Sequence, residues 1–294
     1  MKIVHFKKQN VEKIGIKTNQ GILDVRRAAK VLNESSVNSM DEIFNDPQNS
    51  LAQLKNLQQK VVEKKLSNVY INEDNIYFLP IITNPDKIIT VNYNYVLHAS
   101  EKIESIPTVL SFGSKFKNSL AAHNQNIPLP TFAEKYDFGA ELVVVIGKKA
   151  KNVTVENALT HIMGYSIGND LSARDLQDAS QNQLTGKTLD YFAPIGPYLV
   201  TKDEVDPNEL DISLALNGEI HQKNNTKNML FSCSEIVSTL SQYMTLVPGD
   251  LIFTGTPEGV LETSSDFSPS KWISSGDTID ISISDLGTLT NNFF

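Results

Sequence analysis

The sequence has few cysteines and no long apolar run, and each shortage excludes a class of protein. Cys233 is the one cysteine among 294 residues, so no internal disulfide can form, which is typical of a reducing compartment. No apolar stretch approaches the roughly 18 residues of a membrane-spanning helix. The N-terminus also lacks the apolar core of a signal peptide. We therefore predict a cytoplasmic protein with no membrane partner.

Positive charge is scarce as well. Lys and Arg total 26 against 34 Asp and Glu, which gives a formal net charge of -8. An acidic chain is a poor electrostatic partner for a phosphate backbone, so we predict no nucleic-acid partner. Arg26, Arg27 and Arg174 are the three arginines, and Arg174 is the one that stands alone in the main body of the chain.

The chain divides into two regions of different pattern. Residues 1–75 combine short strands at 2–6, 12–17 and 22–25 with helices at 26–33 and 50–66, which indicates a small N-terminal α+β lobe. Residues 76–294 are dominated by strand signals at 87–91, 142–146, 198–201, 212–216, 251–254 and 278–283. Few helices separate these strands, which argues against a doubly wound parallel sheet. We predict an α+β fold that is mostly β.

Three local patterns in the second region predict the starts of two helices and one tight turn. Thr154 is a suitable N-cap for a helix over 155–163, and Ser234 for a helix that follows it. Asn217-Gly218 between two strand signals predicts a tight hairpin.

Among the five histidines, His98 is the best candidate for catalysis. Glu101 follows it by three residues, so both share one face if the segment forms a helical turn. A carboxylate beside an imidazole orients it and raises its basicity, which suits a general base. A purely structural role for this pair stays open on the spacing alone.

Carboxylates from two segments are candidates for metal binding. Along a continuous strand, Asp137, Gly139 and Glu141 would point the same way, and Asp170 comes from a later segment. Mg²⁺ takes oxygen ligands, often one or two carboxylates plus water and substrate. A solvated acid and a loop cap are the alternative. Gly- and Pro-rich loops at 193–197 and 254–259 are either turns or donors of backbone N–H groups to an anion.

The order of motifs strongly resembles the fumarylacetoacetate hydrolase family over about residues 80–294. The motifs that carry this resemblance are Asn94-Tyr95-x-x-His98-x-x-Glu101, Asp137-Phe138-Gly139-Ala140-Glu141, Gly168-Asn169-Asp170-Leu171-Ser172-Ala173-Arg174-Asp175, Gly186-Lys187 and Thr254-Gly255-Thr256-Pro257. It implies a rolled, mostly β fold, a homodimer, a Mg²⁺ or Mn²⁺ cofactor, and small 2-oxo acid or β-dicarbonyl substrates. The implied reactions are C–C hydrolysis, decarboxylation and isomerisation.

The resemblance also assigns site residues. It implies His98, Glu101 and Lys187 as catalytic residues and Glu141 and Asp170 as metal ligands. Lys115, Gln177, Thr256 and Arg174 would face the substrate, with a structural ion pair as the second possibility for Arg174.

One departure from the family pattern leads to two different functional hypotheses. The family places a metal-binding glutamate where this chain has Gly139, so two carboxylates remain. Either the chain holds Mg²⁺ weakly, or it uses another ligand, or it has lost the metal. The leading hypothesis is an enzyme acting on C–C bonds of 2-oxo acids or diketones. The alternative is a degenerate member that binds a carboxylate metabolite without turnover. The sequence does not select the substrate or the reaction type.

Overall fold

The computed structural model describes residues 1–96, 106–263 and 272–294, and its dominant feature is one large sheet. The strands in chain order are β1 (Lys2–Lys8), β2 (Val11–Thr18), β3 (Gly21–Asp24), β4 (Tyr70–Ile71), β5 (Tyr77–Phe78), β6 (Ile88–Asn92), β7 (Ser111–Lys115), β8 (Leu120–Ala121), β9 (Asn126–Ile127), β10 (Tyr136–Asp137), β11 (Ala140–Ile146), β12 (Ile162–Asn169), β13 (Ser172–Ala173), β14 (Ala193–Thr201), β15 (Asp211–Leu216), β16 (Glu219–Asn225), β17 (Leu251–Phe253), β18 (Thr278–Ile283) and β19 (Gly287–Phe293). The large sheet has twelve strands in the order β4-β3-β2-β1-β14-β12-β11-β17-β6-β7, with β5 beside β1 and β8 beside β14. A five-stranded sheet has the order β16-β15-β18-β19-β9, and β10 pairs with β13.

The helices are short and lie outside the sheets. They are α1 (Val25–Leu32), α2 (Met40–Asn45), α3 (Pro47–Glu63), α4 (Val155–Ala158), α5 (Arg174–Ser180), α6 (Gln183–Lys187) and α7 (Cys233–Tyr243). None of these helices, which are those of the described residues, is long and apolar enough to cross a membrane. The mostly β fold predicted from the sequence is confirmed.

The large sheet continues across the predicted boundary at residue 75. β1 pairs antiparallel with β14, so the N-terminal strands extend the sheet of the second region. The predicted strands and helices of the N-terminal region are confirmed within a few residues. The division into a 1–75 lobe and a 76–294 domain stays a prediction.

Strand β11 is buried on both faces because the sheet separates two apolar layers. Leu142 and Val144 pack with residues of the five-stranded sheet and α7, whereas Val143 and Val145 pack with residues of the N-terminal helices. Alternate residues of a strand point to opposite faces, so an uninterrupted apolar run is required here. This double burial fixes the position of the residues at the start of β11, where the polar site lies.

Two helix predictions need correction, and the hairpin is confirmed. The predicted helix over 155–163 ends early: α4 stops at Ala158, and Ile162 and Met163 begin β12. These two residues are buried in the sheet, where pairing with β11 and β14 overrides a short helical pattern. The cap of α7 is Ser232, which forms a capping box with Glu235, rather than Ser234. The hairpin between β15 and β16 turns at Asn217-Gly218, both with positive φ, as predicted.

Candidate active site

Four strand ends meet at one point of the large sheet and bring distant parts of the sequence together. β11 begins opposite the end of β12, because Ala140 pairs with Asn169 and Glu141 with Gly168. β17 pairs antiparallel with β11, and β6 runs parallel to β17, so β17 and β6 also end near the start of β11. Glu141, Asp170 and the loops after β6 and β17 are therefore neighbours.

Asp170 is held by two lysines. Its Oδ1 lies 2.8 Å from Nζ of Lys115, and its Oδ2 is paired with Nζ of Lys187. Burial penalises the carboxylate, but the two ammonium groups outweigh that penalty and hold the pKa of Asp170 well below its usual range. Asp170 is therefore ionised at neutral pH and balances two buried cations.

Lys115 lies behind this ion pair. Its Nζ donates to the carbonyls of Leu171 at 2.8 Å, Lys187 at 3.0 Å and Phe192 at 2.8 Å. Burial lowers the pKa of Lys115 to about 8, against the opposing effect of Asp170. With these partners, Lys115 joins the end of β12 to the end of α6 and to the chain just before β14.

Glu141 is the second buried carboxylate. Its Oε2 accepts a hydrogen bond of 2.7 Å from the backbone N–H of Gly255 in the loop after β17. Burial and the charge of Asp170 raise the pKa of Glu141 well above its ordinary value. The pairing of Glu141 with Gly168 places both carboxylates at the same end of the β11–β12 pair.

Gly139 and Thr256 form the wall beside the carboxylates. A Cβ at position 139 would lie 3.3 Å from Cβ of Thr256 and 3.5 Å from the carbonyl oxygen of Asp170. Gln222 supports this wall: its Oε1 accepts from the N–H of Ala140 at 2.9 Å, and its Nε2 donates to Oγ1 of Thr256 at 2.9 Å. The Thr256 hydroxyl accepts this bond and can still donate its own O–H.

Arg174 begins α5 and forms two ion pairs. Its Nε lies 2.9 Å from Oδ2 of Asp137 and 3.2 Å from Oε2 of Glu262. Its Nη1 also donates to Oε1 of Gln177 at 3.2 Å. Burial works against the charged guanidinium, but the two carboxylates more than offset it and raise the pKa of Arg174 further. The ion pair predicted for Arg174 is thus present.

A cavity of about 250 Å³ connects these groups. Most of the residues that the sequence predicted for the site line it, together with neighbours that sequence reasoning did not single out. The lining residues are Val91, Asn92, Tyr93, Phe138, Gly139, Glu141, Asp170, Arg174, Gln177, Asp178, Gln181, Asn182, Gln183, Lys187, Thr256 and Glu262. The structure therefore brings the predicted metal ligands, Lys187 and the predicted substrate contacts Gln177, Thr256 and Arg174 to one polar cavity.

Among the described residues that were predicted for the site, Lys115 alone does not line the cavity. Lys115 contacts Asp170 from behind and is not among the residues that line the cavity, so its predicted substrate contact stays a prediction. His98 and Glu101 lie outside the described residues. Their roles as base and partner also stay predictions.

The continuous strand expected over 137–141 is wrong. Asp137 ends β10, which pairs with β13, whereas β11 of the large sheet begins only at Ala140. Asp137 faces Arg174 and also accepts backbone hydrogen bonds from Leu261 at 2.8 Å and Glu262 at 3.2 Å. The chain changes sheets at residues 138–139, so Asp137 cannot replace the carboxylate missing at Gly139. The predicted loop at 193–197 is likewise wrong, since these residues belong to β14.

Glu141 and Asp170 supply carboxylate oxygens, the type of ligand that a hard divalent cation prefers. Mg²⁺ is commonly held by one or two carboxylates, with water and substrate oxygens completing its ligands. Within the described residues, however, no group of three or more His, Cys, Asp or Glu side chains is placed to hold a metal ion. A cation between these two carboxylates would compete with Lys187 for Asp170. The residues thus support a weak site that a substrate would complete.

Sequence reasoning missed two polar side chains that organise the site. Gln222 lies on β16 and is fully buried. Asn94 belongs to a family motif but received no predicted role, and it is fully buried in the loop after β6. Nδ2 of Asn94 donates to the carbonyls of Thr254 at 2.7 Å and Phe231 at 3.0 Å, so it joins two loops at the cavity. No local pattern reveals either role, because the contacts join segments that are at least 34 residues apart.

Comparisons with known proteins agree with this geometry. Residues 87–294 match the family model described as fumarylacetoacetate (FAA) hydrolase C-terminal. The fumarylacetoacetate hydrolase domain-containing protein 2 homolog of Dictyostelium discoideum is 44% identical over 221 residues, which cover 71% of each chain. The mitochondrial oxaloacetate tautomerase FAHD2A of Bos taurus is 39% identical over 219 residues, 74% of this chain and 69% of that protein.

A solved structure extends the similarity to the whole chain. The fumarylacetoacetate hydrolase of Exiguobacterium antarcticum superposes with a TM-score of 0.81 at 30% identity, and the match covers 100% of this chain and 99% of that one. The match therefore includes the N-terminal region as well as residues 87–294. With its motifs, its fold and its relatives in agreement, this chain belongs to the fumarylacetoacetate hydrolase family of enzymes.

Proposed function

We propose that the cavity at Glu141, Asp170 and Lys187 binds small 2-oxo acids and catalyses their tautomerisation or the cleavage of an adjacent C–C bond. The observation that carries this proposal is the pairing of Lys187 with Asp170 on a polar cavity wall, next to Glu141. Both reactions pass through an enolate, whose negative oxygen needs a fixed positive partner. Lys187 supplies a cation that Asp170 already orients.

The remaining cavity residues suit the other parts of such a substrate. Arg174 and the second N–H of the Gln177 amide are donors for a carboxylate. The hydroxyl of Thr256 accepts from Gln222 and can donate its O–H to the 2-oxo group. His98, oriented by Glu101, is the proposed base that takes a proton from the substrate carbon or from water. Mg²⁺ or Mn²⁺, held by Glu141 and Asp170, would add Lewis-acid stabilisation of the enolate.

The names of the relatives favour these reactions. One relative is an oxaloacetate tautomerase and a structural neighbour is a fumarylacetoacetate hydrolase. The binding-only alternative rests on Gly139. Against it, the cavity is lined by six of the residues predicted from the family motifs, namely Glu141, Asp170, Arg174, Gln177, Lys187 and Thr256. We therefore propose an active enzyme with a weakened metal site.

A substrate screen tests this proposal. Oxaloacetate, an acylpyruvate and a fumarylacetoacetate-like diketone are each supplied with and without Mg²⁺, and tautomerisation, decarboxylation and C–C hydrolysis are followed separately. Lys187→Met should abolish whichever activity is found, while Lys117→Met, an exposed lysine outside the cavity, should keep it. Absence of every activity, with the same compounds still bound, would favour the binding-only alternative.

We also propose a homodimer that uses the open end of the large sheet. β7 is the last strand in the order of that sheet, and apolar side chains lie exposed on and beside it. Phe112 is 38% exposed, Phe116 56% and Val109 69%. Exposed edge strands with apolar side chains are pairing surfaces. The predicted cytoplasmic location has no such support and stays a prediction.

A further inference from the structure

Gln222 reaches from the five-stranded sheet to two segments of the active site. It lies on β16 and is fully buried. Its Oε1 accepts a hydrogen bond of 2.9 Å from the N–H of Ala140, the residue before Glu141. Its Nε2 donates to the carbonyl of Pro257 at 2.7 Å and to Oγ1 of Thr256 at 2.9 Å. One side chain therefore connects the start of β11 to the loop that carries Thr256.

Backbone groups on both sides fix the direction in which the Gln222 amide faces. The N–H of Ala140 can only donate, so the atom that it contacts must be the amide oxygen. The carbonyl of Pro257 can only accept, so the amide nitrogen must face it. A rotated amide would place two donors together at one end and two acceptors at the other, and unpaired polar groups are costly when buried. Gln222 is therefore a fixed hydrogen-bond donor to Thr256.

The other side of the Thr256 oxygen is open towards the cavity. Thr256 lines the cavity and is half-buried. Gly139 lies beside it on the wall and has no side chain, although a Cβ there would be only 3.4 Å from Oγ1. Because an N–H of Gln222 already points at Oγ1, the O–H proton cannot lie along that line. The proton is kept for other directions, among them the side that Gly139 leaves uncovered.

We infer that Gln222 is a positioning residue, which holds the Thr256 hydroxyl with its proton available to the 2-oxo oxygen of a substrate. This inference rests on the proposed function, in which Thr256 donates to that oxygen. Negative charge on the oxygen grows as the enolate forms. A donor that is already oriented therefore stabilises the transition state more than the bound substrate. Gln222 should consequently act on kcat more than on KM.

Steady-state kinetics of Gln222→Glu test this role, with oxaloacetate as the substrate, or an acylpyruvate if only that compound is turned over. The new carboxylate can still accept from Ala140, but it offers Thr256 an acceptor in place of a donor. The hydroxyl proton then turns away from the substrate. We expect kcat to fall at least about tenfold, with KM changed less than about threefold. Thr256→Val, which lacks the hydroxyl, should show a loss of similar size.

The double variant separates positioning from a general structural effect. If Gln222 acts through the Thr256 hydroxyl, Gln222→Glu should lower kcat less than about twofold in the Thr256→Val background. Losses that multiply in the double variant would overturn the inference, because Gln222 would then act on the site by another route. Gln222→Met, which has a similar length and adds no buried charge, is compared in the same two backgrounds and should show the same dependence on Thr256.

Asn291→Asp is the matched control. Asn291 is a buried amide on β19 that does not line the cavity, and its Nδ2 donates to the carbonyls of Ala122 and Gln125, both at 2.9 Å. Its replacement removes a buried donor as Gln222→Glu does, so both variants should lower the melting temperature. Only the Gln222 variants should lose kcat, whereas Asn291→Asp should keep it within about twofold.

The outcomes separate this inference from the proposed function. Wild-type kcat in Gln222→Glu and Gln222→Met, beside an impaired Thr256→Val, would overturn the positioning role alone. An equal loss of kcat in Asn291→Asp would also overturn it, since any buried amide would then matter equally. A wild type that turns over neither compound, or a fully active Thr256→Val, would count against the proposed function as well as the positioning role.

Discussion

Replacing Lys115 by Met should destabilise the protein strongly, although the two side chains are similar in length. Lys115 is 3% exposed, and its ammonium group is surrounded by Asp170 and three backbone carbonyls. Met fills the space but supplies no donor, so the buried carbonyls and one oxygen of Asp170 lose a partner. Removing one member of a buried ion pair costs about 3–5 kcal/mol.

Burial of the lysine charge reduces that figure. The lowering of the pKa of Lys115 to about 8 shows that the folded state already penalises its charged form. Losing the lysine also removes this penalty, and Asp170 keeps its second partner, Lys187. We therefore expect Lys115→Met to lower the free energy of unfolding by about 3 kcal/mol at pH 7.

Urea unfolding of a small set of variants measures this loss. Lys117→Met is the matched control, because Lys117 is exposed and donates only to Asn84 at 3.1 Å; we expect less than about 0.5 kcal/mol there. A double-mutant cycle of Lys115→Met with Asp170→Asn should give a coupling of at least about 1.5 kcal/mol. A loss below about 1 kcal/mol in Lys115→Met, or a coupling near zero, would refute the role assigned to Lys115.

Three further predictions concern the cavity wall, a half-buried histidine, and the end of the large sheet at β7. Gly139→Glu should bind Mg²⁺ at least about tenfold more tightly than the wild type in calorimetric titration. The new side chain adds a third carboxylate next to Glu141 and Asp170, and a small shift of Thr256 makes room for it. Gly139→Ala is the control, and an equal affinity in all three proteins would show that the ligand set is incomplete. Burial lowers the pKa of His123 to about 4, so the unfolded chain binds the proton first and stability is lost as the pH falls from about 6.5 towards 4. Between pH 7 and pH 5 the free energy of unfolding should fall by about 1–2 kcal/mol more in the wild type than in His123→Asn. The asparagine keeps an acceptor for the N–H of Thr290. Equal falls in the two proteins would contradict this prediction. Light scattering should give twice the chain mass of 32.6 kDa, and Phe112→Asp should shift the protein towards the monomer; a monomeric wild type at micromolar concentration would rule the dimer out.

The sequence predicted those parts of the site that local patterns and family motifs specify. The apolar run of β11 and the turn at Asn217-Gly218 follow from strand and turn preferences, and both are confirmed. Glu141, Asp170 and Lys187 were predicted from motifs, and the antiparallel register of β11 and β12 brings the two carboxylates together.

Other parts of the structure depend on contacts that no local pattern reveals. Ile162 and Met163 fit a short helical stripe, but pairing on both sides places them in β12. Asp137 matches the alternation of a strand with Glu141, yet the chain changes sheets between them. Glu262 is a single acid in the short 3₁₀ helix Leu261–Thr263, and its pairing with Arg174 arises only when two segments nearly 90 residues apart meet.

Oxaloacetate is the substrate that shows whether the cavity around Lys187 processes 2-oxo acids through an enolate. The decay of the enol form is followed by ultraviolet absorbance in the presence of Mg²⁺, with wild type, Lys187→Met and Lys117→Met in parallel. We expect the wild type and Lys117→Met to accelerate the conversion, whereas Lys187→Met should lose at least about 100-fold in kcat/KM. The proposed function would be refuted by a Lys187→Met variant with the wild-type rate, or by a wild type that accelerates neither this conversion nor the cleavage of an acylpyruvate.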